Sequence, residues 1–366
     1  MSSIFTTSML SENTTMSLAQ LLGVDIPIIQ APMAGVQGSA LAIAVSNVGA
    51  LGSLPCAMLN VDAMRKELAA IRAQTKRPFN INFFCHTQPT IDAEKEKAWH
   101  ALLARYFSEY DIDADSLAAG PARLPFSEES VEVLAAFEPA VVSFHFGLPN
   151  YELLAKVRSW GAKILSTATT VEEAVWLEEH GVDAVIAQGW EAGGHRGNFL
   201  SDSMDNQLGT FALVPQIVDA IKIPVIAAGG IADARGIYAA MELGAAGVQI
   251  GTAYLLCDEA TTSSVHRHAL KNELARITAV TNIFTGRPAR GVVNRIMREI
   301  GPINFAAPEF PLASSIMAPL RAKAEEKGSG DFSPLWAGQN ISGCREISAG
   351  DLTRELARGI FAVFER

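Results

Sequence analysis

The 366-residue sequence is poor in cysteine and contains no closely spaced cysteine pair. Zinc sites and redox motifs need close spacing, but the four cysteines are widely scattered, at Cys56, Cys85, Cys257 and Cys344. His266 and His268 lie close together, yet they have no acidic or thiol partners at the spacing of metal ligands. The sequence therefore predicts reduced, mostly buried thiols and no metal site.

The sequence also lacks a cluster of basic residues, and its formal net charge is −10. A nucleic-acid binder needs clustered lysine and arginine to neutralise phosphates. No apolar run reaches the 18 or so residues that span a membrane. No lysine or arginine precedes Arg65, so the N-terminus lacks the positive segment of a secretory signal or a transit peptide. We therefore expect a cytoplasmic protein without nucleic-acid or membrane partners.

What the sequence does contain is a repeated alternation of apolar runs and helical patterns. Apolar residues make up 49% of the chain, which is enough for a large buried core. The runs are continuously apolar rather than alternating, as is typical of parallel strands buried on both faces. Eight such runs occur, at residues 27–35, 49–54, 79–84, 140–147, 163–169, 183–189, 224–230 and 247–252.

Strands that alternate with helices eight times predict an α/β fold of the (β/α)8 TIM-barrel type. An open dinucleotide-binding sheet is less favoured, because it would need an early GxGxxG motif that is absent. An insertion at residues 85–139 carries a predicted helix, and the chain after strand eight predicts a helical, loop-rich cap without strong strand runs. We expect a barrel at residues 1–255, a substrate-side cap at 256–330 and a segment returning to the barrel at 331–366.

The predicted strand ends carry unusual polar residues and glycines. In barrels of this type the active site lies at the carboxyl ends of the strands. Amides occur inside apolar strands, where an unpaired amide costs a few kcal/mol, at Asn82, Gln188 and Gln249. Strands seven and eight end where barrels often bind phosphate, and their backbone N–H groups are unobstructed at Gly229, Gly230, Gly251 and Thr252. These positions indicate an anionic ligand.

In chain order, the segments APMAGV, NINFF, VVSFHFGLP, QGWEAGGHRG, IPVIAAGGI and GVQIGTAYLL resemble the motifs of the FMN-dependent nitronate monooxygenase family. The resemblance covers residues 26–256 and extends to the tail through FSPLWAGQ. The presence of both SFHFGLP and GWEAGGHRG is similar to the class that acts on nitronates rather than to the NADH:quinone reductase class.

The resemblance implies FMN as cofactor and assigns roles to individual residues. The flavin ring would rest over Pro32 and Met33, with polar contacts from Asn82 and Gln188. The residues around the ribityl-phosphate would be Gly193, Gly194, Gly230, Gln249, Ile250, Gly251 and Thr252. His195 would face the reactive side of the flavin as a base or orienting group, and His145 would be a second catalytic histidine in the same pocket.

The resemblance also implies a reaction, in which an alkyl nitronate such as propionate 3-nitronate is oxidised by O2 to a carbonyl compound and nitrite through a flavin semiquinone. A neutral nitroalkane must first lose a carbon-bound proton, and histidine suits that task. A nitronate needs only orientation, by a protonated imidazole or a donated N–H. The alternatives are an NAD(P)H-dependent FMN reductase of quinones or enoyl thioesters, and an FMN-binding protein without chemistry; a homodimer is left open.

Several neighbouring residues have structural interpretations. We expect Glu191 to cap the following segment or to pair with Arg196, and we expect packing roles for Trp190, Trp336, Tyr106 and Tyr110. The basic run TGRPARGVVNR predicts a solvated face, or alternatively an anion-attracting rim. The family's cap often contributes tyrosines and a lysine to the substrate pocket, whereas residues 256–330 contain no tyrosine. The substrate contacts of the cap therefore cannot be assigned from the motifs.

Overall fold

The computed structural model describes residues 17–113 and 123–364. Within these ranges the strands in chain order are β1 (Ile28–Gln30), β2 (Gly52–Pro55), β3 (Phe79–Phe84), β4 (Val141–His145), β5 (Lys163–Ala168), β6 (Ala184–Gln188), β7 (Gly194–His195), β8 (Val225–Ala228), β9 (Gly247–Ile250), β10 (Thr278–Thr281) and β11 (Ala289–Val292). Each of the eight predicted runs contains or overlaps a strand, so that prediction is confirmed.

The helices in the same ranges are α1 (Leu18–Leu22), α2 (Ser39–Asn47), α3 (Val61–Gln74), α4 (Ala93–Glu109), α5 (Glu128–Ala135), α6 (Tyr151–Ser159), α7 (Val171–Glu179), α8 (Thr210–Ala220), α9 (Ala234–Glu242), α10 (Ser264–Lys271), α11 (Arg295–Ile300), α12 (Leu312–Glu326) and α13 (Ala349–Phe364). Several begin at a side-chain cap that satisfies a free N–H, for example Asn60 before α3 and Thr170 before α7. The helix predicted in the 85–139 insertion is α4.

Eight parallel strands form the barrel in the described chain, in the order β1-β9-β8-β6-β5-β4-β3-β2. The barrel closes between β1 and the residue just before β2, where Ile29 bridges to Leu51. The Gln30 N–H donates to the Leu51 carbonyl at 2.9 Å, and the Leu51 N–H donates to the Ile28 carbonyl at 2.9 Å. The TIM-barrel prediction is therefore confirmed.

Two apolar layers hold the barrel together. Side chains that alternate along the strands fill its interior, among them Ile29, Val141 and Leu165, and α1 adds Leu18 and Leu22 to the same cluster. The opposite faces of the strands pack against the surrounding helices in a larger cluster. Helix α1 closes one end of the barrel with apolar side chains. The polar cleft described below lies at the carboxyl ends of the strands.

A buried polar network links the first four strands near the point of closure. The Asn80 Nδ2 donates to Ser53 Oγ at 3.0 Å and to Ser143 Oγ at 2.9 Å. The Gln30 Nε2 donates to Gln37 Oε1 at 2.7 Å, and Gln37 Oε1 also accepts the Met33 N–H at 3.0 Å. These amides fix the APM segment to the barrel wall. Each of their buried side-chain NH2 groups donates a hydrogen bond, which avoids the free-energy cost of burying an unpaired donor.

The cap differs from the prediction in containing strands. Antiparallel β10 and β11 pair with each other, and β11 pairs with β7, so a three-stranded sheet ties the cap to the loop after β6. The sequence predicts no strong strand runs in the cap, and short antiparallel strands such as TAVT and ARGV need no long apolar run. Helix α4 also buries Trp99, Leu103 and Phe107 against this cap. The division at residues 255 and 330 stays a prediction.

Candidate active site

The main cleft of the described chain lies at the carboxyl ends of the barrel strands, under the cap, and its volume including the opening is about 1350 Å³. The cleft is lined by predicted site residues from six strand ends, namely Pro32, Met33, Asn82, His145, Gln188, Gly193, Gly194, His195, Gly230, Gln249, Gly251 and Thr252. Ile250 does not line the cleft, because its side chain is buried in the outer apolar cluster.

His195 is held by the cap sheet and by aromatic rings. Its backbone pairs with Ala289 of β11, which explains why an ionisable residue can follow two glycines outside any barrel strand. Its imidazole lies 5.3 Å from the Phe310 ring and 5.5 Å from the Trp336 ring between centroids. Phe84 and Phe146 lie near 6 Å, at 6.0 and 6.1 Å. The ring is thus enclosed on several sides by apolar surface while still lining the cleft.

This enclosure decides the charge of His195. Burial holds the pKa of the imidazole well below its usual value, and the positive charges of Arg123 and Arg287 lower it further. The Nε2 atom lies 3.0 Å from Thr285 Oγ1, whose hydroxyl can donate to the Arg287 carbonyl at 3.3 Å. With the hydroxyl proton there, imidazole Nε2–H donates to Oγ1 and Nδ1 keeps its lone pair. His195 is therefore neutral at physiological pH.

His145 has a different environment from the one predicted for a second catalytic group. Its Nε2 lies 3.2 Å from the His195 backbone carbonyl, which can only accept, so this nitrogen carries the proton. Its Nδ1 lies 3.1 Å from Thr167 Oγ1 and accepts from that hydroxyl. Burial lowers the His145 pKa to about 3. Both nitrogens are occupied by the protein, and this geometry favours a positioning role toward His195.

Gln188 and Arg196 fix the loop that carries His195. The Gln188 Nε2 donates to the His195 carbonyl at 2.9 Å, and its Oε1 accepts the Gly197 N–H at 2.8 Å. Arg196 is 0% exposed and donates to the Gly189 and Gln188 carbonyls at 2.6 and 2.8 Å. The side chain of Gln188, predicted as a cofactor contact, is thus already bonded to this loop. The loop is therefore held in place by side chains of the QGWEAGGHRG motif itself.

Glu191 caps α8, which confirms one of its two predicted roles. Its carboxylate accepts the Thr210 N–H at 2.8 Å and the Thr210 hydroxyl at 2.9 Å. No salt bridge joins it to Arg196 among the described residues. A carboxylate at a helix N-terminus is stabilised by the free N–H groups there. Glu191 therefore shapes the loop and does not face the reacting groups.

The two glycines before His195 are required for different reasons. A Cβ at Gly193 would lie 2.5 Å from the Gly338 nitrogen. Gly193 is therefore required because the backbone of the C-terminal segment passes close to it, and not because a ligand does. Gly194 has φ +73°, a left-handed conformation, and a Cβ there would meet nothing within 4 Å. The open space beside Gly194 belongs to the cleft that it lines.

Two features of the cleft fit a polar cofactor. The Oε1 atom of Gln249 is buried without a hydrogen-bond partner in the described chain, which leaves an acceptor for a ligand. Glycines and one hydroxyl also line the cleft, where Thr252 Oγ1 accepts the Gly338 N–H at 2.9 Å and Asn340 Nδ2 donates to the Gly230 carbonyl at 2.9 Å. Gly338 and Asn340 come from the C-terminal segment and were not predicted as site residues.

Sequence analysis also missed cleft residues that are far apart in the chain. Arg123, Met58 and His266 line the cleft, and the Phe310 ring packs against His195. None of them belongs to a strand-end motif. The solvated face predicted for the basic run is wrong at two of its arginines: Arg290 is 2% exposed and donates to the Trp190 carbonyl at 3.0 Å, while Arg287 lies 4.1 Å from the Phe146 ring centre.

The remaining structural interpretations are consistent with the contacts. Tyr106 is buried against Phe332 and donates to Glu299 at 2.7 Å, and Tyr110 packs on the same ring. Trp336 both packs and lines the cleft. In the part of the chain that the structure describes, no three histidine, cysteine or acidic side chains could together hold a metal ion. No described helix is long and apolar enough to cross a bilayer.

Comparisons with known proteins agree with this geometry. Residues 15–359 match the family model described as nitronate monooxygenase. The chain is 43% identical to a nitronate monooxygenase of Paraburkholderia phytofirmans, with 93% of this chain and 94% of that protein covered. It is 41% identical to one from Pseudomonas aeruginosa, with 92% and 97% covered.

Solved structures show the same fold. Nitroalkane oxidase from Streptomyces ansochromogenes matches with a TM-score of 0.86 and 38% identity, covering 95% of this chain and 99% of that one. FabK from Thermotoga maritima matches with a TM-score of 0.73 and 27% identity, covering 95% and 96%.

Proposed function

Since this chain belongs to the nitronate monooxygenase family and is an oxidoreductase, we propose that it oxidises alkyl nitronates such as propionate 3-nitronate with O2, using FMN, to a carbonyl compound and nitrite. The observation that carries the proposal is the His195 imidazole in the wall of a glycine-lined cleft, whose lining also includes Arg123. A cation beside a neutral base suits an anionic substrate.

The family is one of flavoproteins, and the cleft residues fit FMN. Pro32 and Met33 offer an apolar surface for the ring, and the free Gln249 Oε1 offers an acceptor for a ring N–H. Gly193, Gly194, Gly230, Gly251 and Thr252 would hold the ribityl-phosphate. The chemistry that bound FMN supplies is electron transfer from the nitronate to O2.

The protein's own groups would handle protons, charge and water. His195, neutral with a free Nδ1 lone pair, would accept the carbon-bound proton of a neutral nitroalkane. In the other neutral tautomer the Thr285 hydroxyl would donate to Nε2, and Nδ1–H would donate to a nitronate oxygen. His195 would act on the nitronate as an uncharged ring rather than as an imidazolium, because burial holds its pKa well below the usual value. Phe84, Phe146 and Phe310 would exclude water around the reacting group.

Anaerobic mixing tests the proposed function. We expect the bound flavin to be reduced by propionate 3-nitronate or ethyl nitronate, and not by NADH or NADPH. With O2 present, oxygen consumption and nitrite should accompany turnover of the nitronate. Rapid bleaching by NADH or NADPH would instead support a reductase of quinones or enoyl thioesters and would overturn the proposal.

Replacing Gln249 with leucine should weaken FMN binding by about 3- to 10-fold, the value of one hydrogen bond to a buried acceptor. The measurement is the Kd of FMN for the apoprotein, followed by quenching of flavin fluorescence. Gln216→Leu is the matched control, because Gln216 lies on the exposed face of α8 and donates to the Ala212 carbonyl at 2.8 Å. Equal FMN affinity of Q249L and Q216L would exclude Gln249 from the cofactor site.

A further inference from the structure

Arg123 lies in the insertion between β3 and β4, outside every motif, yet its side chain lines the cleft. Its guanidinium carbon lies 5.8 Å from the centre of the Phe310 ring, the ring that also covers His195 at 5.3 Å. Among the charges that lower the pKa of His195, that of Arg123 contributes most. The guanidinium and the imidazole therefore face the same space.

The main chain at Arg123 is held by hydrogen bonds from two side chains that follow β3. Its carbonyl accepts from His86 Nε2 at 3.1 Å and from Gln88 Nε2 at 3.0 Å. The His86 ring packs edge-on against Phe310, with 4.8 Å between centroids. These contacts hold the backbone so that the half-buried side chain extends along the cleft wall.

Within the described residues, the charge of Arg123 is not balanced by an ion pair. No carboxylate in residues 17–113 or 123–364 forms a salt bridge with it, and the described charge that shifts its pKa is that of Arg321, also positive. Burial lowers its pKa from the ordinary value, which still leaves it charged at neutral pH. A desolvated cation without a partner is unfavourable, and the planar fork of arginine matches a carboxylate through two parallel hydrogen bonds.

We propose that Arg123 is the specificity-determining residue of this enzyme, and that it binds a carboxylate at the end of the substrate remote from the nitronate group. This inference rests on the proposed function, because it takes the nitronate group itself to lie at His195. Substrates with a carboxylate would then be preferred over alkyl nitronates of similar size that carry no second charge.

The test compares two substrates in Arg123→Met. For propionate 3-nitronate we expect kcat/KM to fall at least about 30-fold, mainly through KM, since one partner of a buried charge pair is removed. For ethyl nitronate we expect a change of less than about 3-fold. Ethyl nitronate turnover by the same preparation also shows that the variant is folded and loaded with cofactor. Succinate, tested as a competitive inhibitor with ethyl nitronate as substrate, should lose inhibition in R123M by a similar factor.

Arg321→Met is the matched control, because it removes the same charge from an exposed side chain near Arg123 that does not line the cleft. We expect R321M to change kcat/KM for both substrates by less than about 3-fold. Equal losses for the two nitronates in R123M, or no loss for either, would overturn the carboxylate assignment while leaving the proposed function intact. A wild-type enzyme that oxidises neither nitronate would instead contradict the proposed function.

Discussion

Replacing His195 with asparagine is expected to lower kcat/KM for propionate 3-nitronate by about 100-fold, because the group that orients the reacting anion is lost. A neutral nitroalkane such as nitroethane should suffer more, by up to about 10⁴-fold, since asparagine cannot accept the carbon-bound proton. The fold should survive, because His195 lies at the cleft surface and its backbone pairing with Ala289 is unaffected. Oxygen consumption and nitrite release measure both substrates.

The low pKa of His195 gives this prediction a second readout. The neutral imidazole persists above its lowered pKa and is lost only as the pH falls through that value, well below 6.5. Wild-type kcat/KM for a preformed nitronate should therefore show no inflection near pH 6.5. His180→Asn, which changes an exposed ring stacked on Trp176, is the control and should leave all rates unchanged. Unchanged turnover in H195N would support an FMN-binding protein without chemistry at this residue.

The second large effect is expected for Arg196→Met, which should lower the free energy of unfolding by about 2–4 kcal/mol. Arg196 is 0% exposed and donates to the Gln188 and Gly189 carbonyls and to Gln207 Oε1. Its removal leaves these buried acceptors without their donor, and methionine fills the volume without replacing any hydrogen bond. Denaturant unfolding followed by circular dichroism measures the change.

Arg235→Met serves as the control for the lost charge. Arg235 is exposed and paired only with Asp233, so R235M should change the unfolding free energy by less than about 0.5 kcal/mol. If R196M is as stable as R235M, then Arg196 does not hold the loop and the interpretation of its buried contacts is wrong.

The barrel could be predicted from the sequence because its signal is local and repeated. Each buried parallel strand is a continuous apolar run with a helix behind it, and eight repeats leave few alternative topologies. The cap could not be predicted to the same degree. Strands β10 and β11 are four residues long and carry threonine and arginine, and β7 is only two residues, so their pairing depends on partners distant in the chain.

The residues of the candidate site also fall into a group that the sequence predicts and a group that it does not. Glycines, amides and histidines at strand ends could be recognised, because parallel strands bring their carboxyl ends to one face. Arg123, Thr285 and Phe310 could not, since they come from the insertion and the cap and carry no motif. Their contribution to the site exists only after these segments have packed over the barrel.

The sequence by itself determined the barrel, the face that carries the cleft and the position of His195 in that face. These follow from short-range periodicity and from the geometry of parallel strands. Only the tertiary structure decided that burial lowers the pKa of His195, that His145 is bonded at both nitrogens, and that Arg123 lines the same cleft without an ion pair to any described residue. Charge state and hydrogen-bond partners depend on burial and on neighbours distant in the chain, and the strand-end motifs contain neither.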